Sequence, residues 1–304
     1  MFRVSAEHSL PFLPVNIMKS YLLGLYEKSM PSSLDWGSKF MTAKSAGYDF
    51  IELSVDESGE KLARLDWTID ERRNLLAIAQ EHGIPLGSMC LSGHRKYPFG
   101  SENPDIANRS MEIMEKAIDL AVDLGIRIIQ LAGYDVYYET SNDETQKLFT
   151  ERLKNAVWLA AAKGVILAFE TMETMFMNTA EKAMRYVRAI SSPYLQIYPD
   201  IGNLTNAAKT QGKNVLDDLE QGRGHIAAVH LKETLPGVFR EVPFGSGHVD
   251  FDSAITKAWA MGVRRYVVEF WHVGNDDWKE IIFGVCSMMR EKLNVQNFSD
   301  SRGG

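Results

Sequence analysis

The stretch LQIYPDIGNL, residues 195–204, runs as a short apolar segment into a carboxylate, Asp200, followed by a Gly-Asn turn. It reads as a buried strand that ends on an acid at the mouth of the next loop. One such aspartate has an ordinary explanation, since Asp is a favoured N-cap of the following helix. The other apolar runs decide between the two readings. They are YLLGLY (21–26), YDFIELSV (48–55), IPLGSMCL (84–91), RIIQLAGY (127–134), VILAFETM (165–172), IAAVHLKE (226–233) and YVVEFW (266–271). Continuous apolar runs of this length suit strands of a parallel sheet, covered on both faces.

Amphipathic segments fill the intervals. DERRNLLAIAQEHG (70–83) and MEIMEKAIDLAVDLG (111–125) carry apolar residues at three- and four-residue spacing and end in Gly, as do the runs ending AKSAG, LAAAKG and AWAMG. A terminal Gly supplies the left-handed residue that closes a helix before the next strand. Eight strands alternating with eight helices predict a (β/α)8 TIM barrel in a single α/β domain. The alternative, a doubly wound open sheet, lacks a GxGxxG after its first strand.

The 304 residues carry a formal net charge of −7, with 45% hydrophobic and 24% charged side chains. This is the composition of a globular chain, and the acidic balance argues against a general nucleic-acid surface. No apolar run reaches the length of a membrane span. Two cysteines far apart, Cys90 and Cys286, fit reduced thiols and a cytoplasmic setting. Residues 1–17 lack the long apolar segment and cleavage site of a signal peptide. They are expected to be a poorly structured or non-native extension ahead of Met18, with the barrel over 18–295 and a flexible tail over 296–304.

Four consecutive predicted strands end on metal-capable side chains. These are Glu170 in AFE, Asp200 in YPD, His230 in AVH and Glu269 in VVEF. In a closed barrel these ends face one another across the mouth. Three carboxylates crowded into a low-dielectric mouth repel one another, and a divalent cation removes the conflict. Taken singly, each residue has a structural alternative: a cap, an ion pair or a satisfied core histidine. The set suits zinc, manganese or another divalent ion.

At these residues the sequence resembles the L-xylulose-5-phosphate 3-epimerases, also called L-ribulose-5-phosphate 3-epimerases, of the xylose-isomerase-like TIM-barrel superfamily. The resemblance spans about 22–293. It is carried by GLYEKSMP, IELSVDESGEKLARLDW, SMCLSGHRKYPFGSE, GIRIIQLAGYDVYYE, YPDIGNL, AVHLKET and PGVFREVPFGSGHVDF. It implies a divalent ion, usually zinc, held by Glu170, Asp200, His230 and Glu269. It also implies a pentulose phosphate substrate in ascorbate and pentose catabolism, interconverted at C3. After Glu269 the chain reads EFWHVGNDD, keeping Glu-aromatic-Trp and departing from the family at His272.

Inversion at C3 requires a proton removed from one face and returned on the other, next to the C2 ketone. Glu170 and Glu269, on strands five and eight, are the expected pair. Candidates for the phosphate and sugar are His94 and Arg95 after strand three, Lys232 two residues past His230, the Gly-flanked Ser246, Gly247 and His248, and Glu52 on strand two. Each has a plainer reading as a solvated or packing residue. Tyr134, Tyr137 and Trp271 are candidate pocket walls. A homodimer is the expectation from symmetry statistics alone. The competing functions are an epimerase or isomerase of an unphosphorylated ketose, an AP-endonuclease-like hydrolase and a non-catalytic sugar-phosphate sensor. The hydrolase needs more histidines at the mouth and a basic face.

Overall fold

A computed structural model describes residues 20–300, with side chains described to 298. The expected extension at 1–17 lies outside the described residues. Each apolar run forms its strand: β1 Leu22–Tyr26, β2 Phe50–Val55, β3 Leu86–Leu91, β4 Ile128–Ala132, β5 Ile166–Glu170, β6 Leu195–Tyr198, β7 Val229–Leu231 and β8 Arg265–Val268. All ladders are parallel, in the order β6-β5-β4-β3-β2-β1-β8-β7. The β6/β7 seam is closed by two isolated bridges, Ile197 to Ile226 and Asp200 to His230. Two candidate ligands therefore form part of the closure.

A principal helix follows every strand: α1 Trp36–Ala46, α2 Ile69–His82, α3 Pro104–Asp123, α4 Asp143–Ala162, α5 Ala180–Ile190, α6 Ile201–Gln211, α7 Phe251–Ala260 and α8 Trp278–Asp300. Local chemistry sets their ends. Thr68 and Glu71 form a capping box at α2, and Gly83 closes that helix at φ 62. The expected tail at 296–304 is corrected in part. Helix α8 continues to Asp300, and Asn297 Oδ1 accepts from the Ser20 amide at 3.1 Å. Residues 301–304 lie outside the described residues.

Strand parity separates two interiors. Leu23, Leu25, Ile51, Leu53, Leu167 and Phe169 face outward and pack under the helices. Tyr26, Phe50, Cys90, Ala168, Tyr198 and Val267 face into the barrel. Phe50 plugs the lower end, where a Cβ on Gly24 or Gly87 would sit 2.3 Å from its ring, so only glycine fits there. Above this plug, the inward positions of the same strands turn polar: Glu52, Ser88, Gln130, Glu170, His230 and Glu269, all buried. The two-residue period that keeps the lower barrel apolar thus delivers charge to its upper end.

Candidate metal centre and active site

Glu170 ends β5 and Asp200 follows β6. His230 is the middle of β7 and Glu269 is one residue past β8. One donor atom from each lies within 4.8 Å of the others, and all four residues are buried. His230 presents Nδ1 to this group, 3.3 Å from Glu170 Oε1 and 3.5 Å from Glu269 Oε2. Asp200 serves both readings of its position. Its Oδ1 caps α6 by accepting from the Asn203 amide at 2.7 Å, while Oδ2 faces the cluster. Lys232 Nζ stands 2.9 Å from Asp200 Oδ2 and 3.5 Å from Glu269 Oε2.

The electrostatics match a site built around a cation. Burial, then the charge of Glu269, pushes the Glu170 carboxyl up. Burial raises Asp200 to about 7 against the pull of Lys232. Burial also acts to raise Glu269, but Lys232 and His230 overcome it and hold that carboxyl below its ordinary value. Burial opposes charge on His230, and the carboxylates of Glu52 and Glu269 outweigh it, so the imidazole is raised well above its usual range. Asp200 Oδ2 and Glu269 Oε2 are buried oxygens with no hydrogen-bond donor. The Lys232 ammonium, 2.9 Å from Asp200 Oδ2 and 3.5 Å from Glu269 Oε2, offsets one of the three carboxylate charges. Orphaned carboxylate oxygens are costly unless a charge compensates them. A three-carboxylate, one-imidazole set of this kind fits a divalent cation.

Around the cluster lies a small cavity of about 50 Å³, walled by Tyr26, Cys90, Ser92, Met172, Asn203 and Trp271, with Lys28, Arg95, Glu173 and Arg240 among its charged residues. A larger neighbouring groove of about 360 Å³, between Phe244, Phe270 and Trp278, is apolar and holds none of the cluster. Arg95 lies over the rings of Tyr134 and Tyr137, at 5.8 and 5.1 Å, and its buried Nε has no acceptor. Arg240 is half-exposed, 3.5 Å from Glu173 and 5.7 Å from the Trp271 ring. Lys28 pairs with Asp56 at 2.7 Å.

The structure brings Arg95 and Lys232 to this cavity and turns the other candidates elsewhere. His94 shares a single 3-10 turn with Arg95, but only Arg95 lines the cavity. The imidazole is buried against Phe99 at 4.5 Å, its Nε2 lies 3.0 Å from the Ser110 carbonyl, and burial depresses it to about 4. Ser246, Gly247 and His248 do form a loop rich in N–H groups, but that loop wraps a carboxylate of the chain itself. Glu233 accepts from the amides of Thr234, Gly245 and Val249, at 3.1, 3.0 and 3.2 Å. Ser246 Oγ donates to Pro243, and His248 Nε2 meets Thr234 Oγ1 at 3.1 Å. Glu52 is buried beside the cluster, hydrogen-bonded to Ser88, Tyr198 and His230, and does not line the cavity.

Three residues at the site escaped the sequence reading. Gln130 donates through Nε2 to Glu170 Oε2. A lone amide inside the apolar run RIIQLAGY is the signal that pointed to it. Asn203 and Arg240 lie on a helix start and a loop, where no periodicity marks them.

Fold and site together define a class: the chain belongs to the xylose isomerase-like TIM-barrel family, whose model matches residues 40–291. Within that class it is 42% identical over 278 residues to the L-ribulose-5-phosphate 3-epimerase UlaE of Shigella flexneri, covering 91% of this chain and 96% of that one. It is 44% identical over 262 residues to the protein of the same name from Escherichia coli O157:H7, covering 86% and 91%. Among solved structures, an L-ribulose 3-epimerase superposes with a TM-score of 0.74 at 16% identity, covering 92% of this chain and 97% of that one. A D-psicose 3-epimerase in the presence of D-fructose superposes at 0.74 and 15% identity, covering 90% and 99%. At such identities the structural likeness speaks for the fold alone.

Proposed function

We propose that the protein is a divalent-metal-dependent epimerase that interconverts L-ribulose 5-phosphate and L-xylulose 5-phosphate at C3. The observation that carries this reading is the pairing of Glu170 and Glu269, which meet from strands five and eight at one buried cluster beside one cavity. The names and coverage of the curated relatives supply the substrate.

Glu170, Asp200, His230 and Glu269 would hold the cation, which the resemblance implies is zinc. When bound, it supplies Lewis-acid polarisation of the ketone at C2. Glu170 and Glu269 handle the C3 proton. The two carboxyls reach the cluster from strands five and eight, so one can take the proton from one face of C3 while the other returns it on the opposite face. Gln130 keeps Glu170 Oε2 in a fixed direction. Lys232, tied to Asp200 and Glu269, balances the carboxylates and belongs to the cluster rather than to the phosphate. Arg95, with its unpartnered Nε, and Arg240 across the mouth are the phosphate receivers in this reading. A small cavity requires the rim loops to part for a pentulose phosphate. Two free buried thiols fit a reducing, cytoplasmic setting, and the role in ascorbate and pentose catabolism is the one the sequence resemblance implies. The dimer remains part of the proposal on symmetry grounds.

The test is incubation of zinc-loaded protein with L-ribulose 5-phosphate in D2O, followed by NMR, with L-ribulose alongside. L-xylulose 5-phosphate deuterated at C3 is the expected product. Turnover of the unphosphorylated sugar alone would move the assignment to a free ketose. No exchange with either sugar would remove the epimerase reading.

A further inference from the structure

Glu52 lies wholly inside the barrel, 178 residues before His230 in sequence, yet its Oε1 is 2.7 Å from His230 Nε2. Its other oxygen accepts two hydroxyls, Ser88 Oγ at 2.6 Å and Tyr198 Oη at 2.9 Å. Three donors from strands β3, β6 and β7 therefore converge on one carboxylate carried by β2. Glu52 does not line the mouth cavity. The ring of Tyr198 also packs edge-on against the imidazole, with centroids 4.7 Å apart.

We propose that Glu52 is a positioning residue of the metal centre: it fixes His230 as the Nε2–H tautomer and so aims the Nδ1 lone pair into the space shared by Glu170, Asp200 and Glu269. The argument is one of valence and direction. A ligating imidazole gives up the proton of the nitrogen that binds and keeps one N–H, and a carboxylate that only accepts draws that hydrogen to the nitrogen facing it. With Nε2 committed to Glu52, Nδ1 is left as the lone-pair nitrogen, and it is the nitrogen facing the other three ligands. The hydroxyls of Ser88 and Tyr198 hold the carboxylate from below, so the imidazole plane is anchored through two layers of the barrel. A carboxylate behind a ligating histidine commonly governs metal affinity by about 10–100-fold on mutation. This inference rests on the metal-centre reading above but not on the identity of the sugar.

The test measures Zn²⁺ affinity by competition with a chromophoric chelator, on the full chain, for wild type, Glu52→Gln, Tyr198→Phe and Ser88→Ala. Glu52→Gln is expected to weaken Zn²⁺ binding by about 10–100-fold. Tyr198→Phe and Ser88→Ala, which each leave Glu52 one hydroxyl, are expected to weaken it by less. In the zinc-loaded wild type, long-range ¹H–¹⁵N spectra should show His230 ligating through Nδ1, with a slowly exchanging proton on Nε2. A structural role alone would not set that tautomer. Zn²⁺ affinity of Glu52→Gln within twofold of wild type, or His230 ligating through Nε2, would overturn the proposal. The wild-type spectrum decides even if Glu52→Gln does not fold. Failure of wild type to bind Zn²⁺ would bring down the metal-centre reading and this inference together. Zinc binding without epimerase activity would leave the inference standing and remove only the assigned reaction.

Discussion

Two buried ionic clusters sit at the same end of this barrel, and they are built on opposite plans. Around Glu27, one carboxylate meets three cations: Lys39 and Lys61 at 2.9 and 2.8 Å, and Arg64 through both terminal nitrogens. The Ser54 amide donates as well, and the indoles of Trp36 and Trp67 lie against the Arg64 guanidinium. Burial acts to raise the Glu27 carboxyl, and the Arg64 hydrogen bonds with the three positive charges overcome it and hold the group well below its ordinary range. Around His230 the balance is reversed. Three carboxylates share one imidazole and one lysine, two oxygens lack a hydrogen-bond donor, and the cluster borders a cavity. Density of buried charge is common to both, so it does not mark a functional site. What distinguishes the second cluster is unsatisfied acceptor capacity with access to a ligand. The first has spent its acceptors, and the second has them to offer.

The contrast can be broken in descending order of effect. Replacing either proposed proton carrier of the open cluster should cost most. Glu170→Gln or Glu269→Gln is expected to lower the epimerisation rate by roughly 10²–10⁴-fold. Each variant should keep deuterium wash-in from one epimer while inversion stops, which NMR in D2O reads directly. With zinc supplied at a concentration that saturates each variant, loss of exchange from both epimers alike would contradict a two-carboxyl mechanism.

Next comes the closed cluster. Glu27→Gln strands three buried cations and should destabilise the fold by about 3–5 kcal/mol, measured by urea unfolding. Zinc should not restore it. The same depressed carboxyl predicts the direction of acid lability. Its stabilisation is complete above the unfolded value of about 4.3 and is lost as pH falls below that toward the folded one. A Glu27→Gln protein as stable as wild type would show that this cluster is not the structural one.

His94 tests the sealing of the same end of the barrel. Kept neutral by burial, it titrates at about 4 in the fold against 6.5 when exposed. The unfolded chain therefore takes up a proton first, and the fold loses stability as pH drops from 6.5 to 4. The full loss is roughly 3 kcal/mol. His94→Gln should flatten the pH dependence of Tm in that window relative to wild type. An unchanged slope would mean that the imidazole reaches solvent.

The smallest effect separates the two duties of Asp200. Asp200→Asn keeps a side-chain oxygen able to cap α6, whereas Asp200→Ala does not. The metal-free alanine variant should be less stable than the asparagine variant by about 1 kcal/mol. Both should bind zinc more weakly than wild type. Equal stability of the two would mean that the cap contributes nothing.

Much of this was legible in the chain. The eight apolar runs became the eight strands, because a strand covered on both faces needs no partner information to be recognised. The four strand-end ligands were readable for a related reason. Parity and position along a strand are local properties, and in a closed barrel they decide which side chains point to the mouth. Asp200 illustrates the limit of that logic, since its cap and its place in the cluster were set against each other as alternatives and the two oxygens of one carboxylate serve both.

The rest depended on meetings between distant segments. SGHR offered two basic residues side by side, and only Arg95 reaches the cavity while His94 packs against Phe99 and the Ser110 carbonyl. The glycines of FGSGH suggested a nest for phosphate, and Glu233, more than ten residues earlier, filled it. Glu52 was open between a sugar contact and a structural role, and its partner His230, 178 residues later on β7, is one that no local pattern could supply. The sequence alone determined the barrel, its polarity and the cluster of candidate ligands at its mouth, because these follow from a repeating pattern and the end of each repeat. Only the tertiary structure decided which acceptors were already satisfied and which nitrogen of His230 faced the ligands. Hydrogen-bond partnership across a closed barrel joins residues that no local period relates.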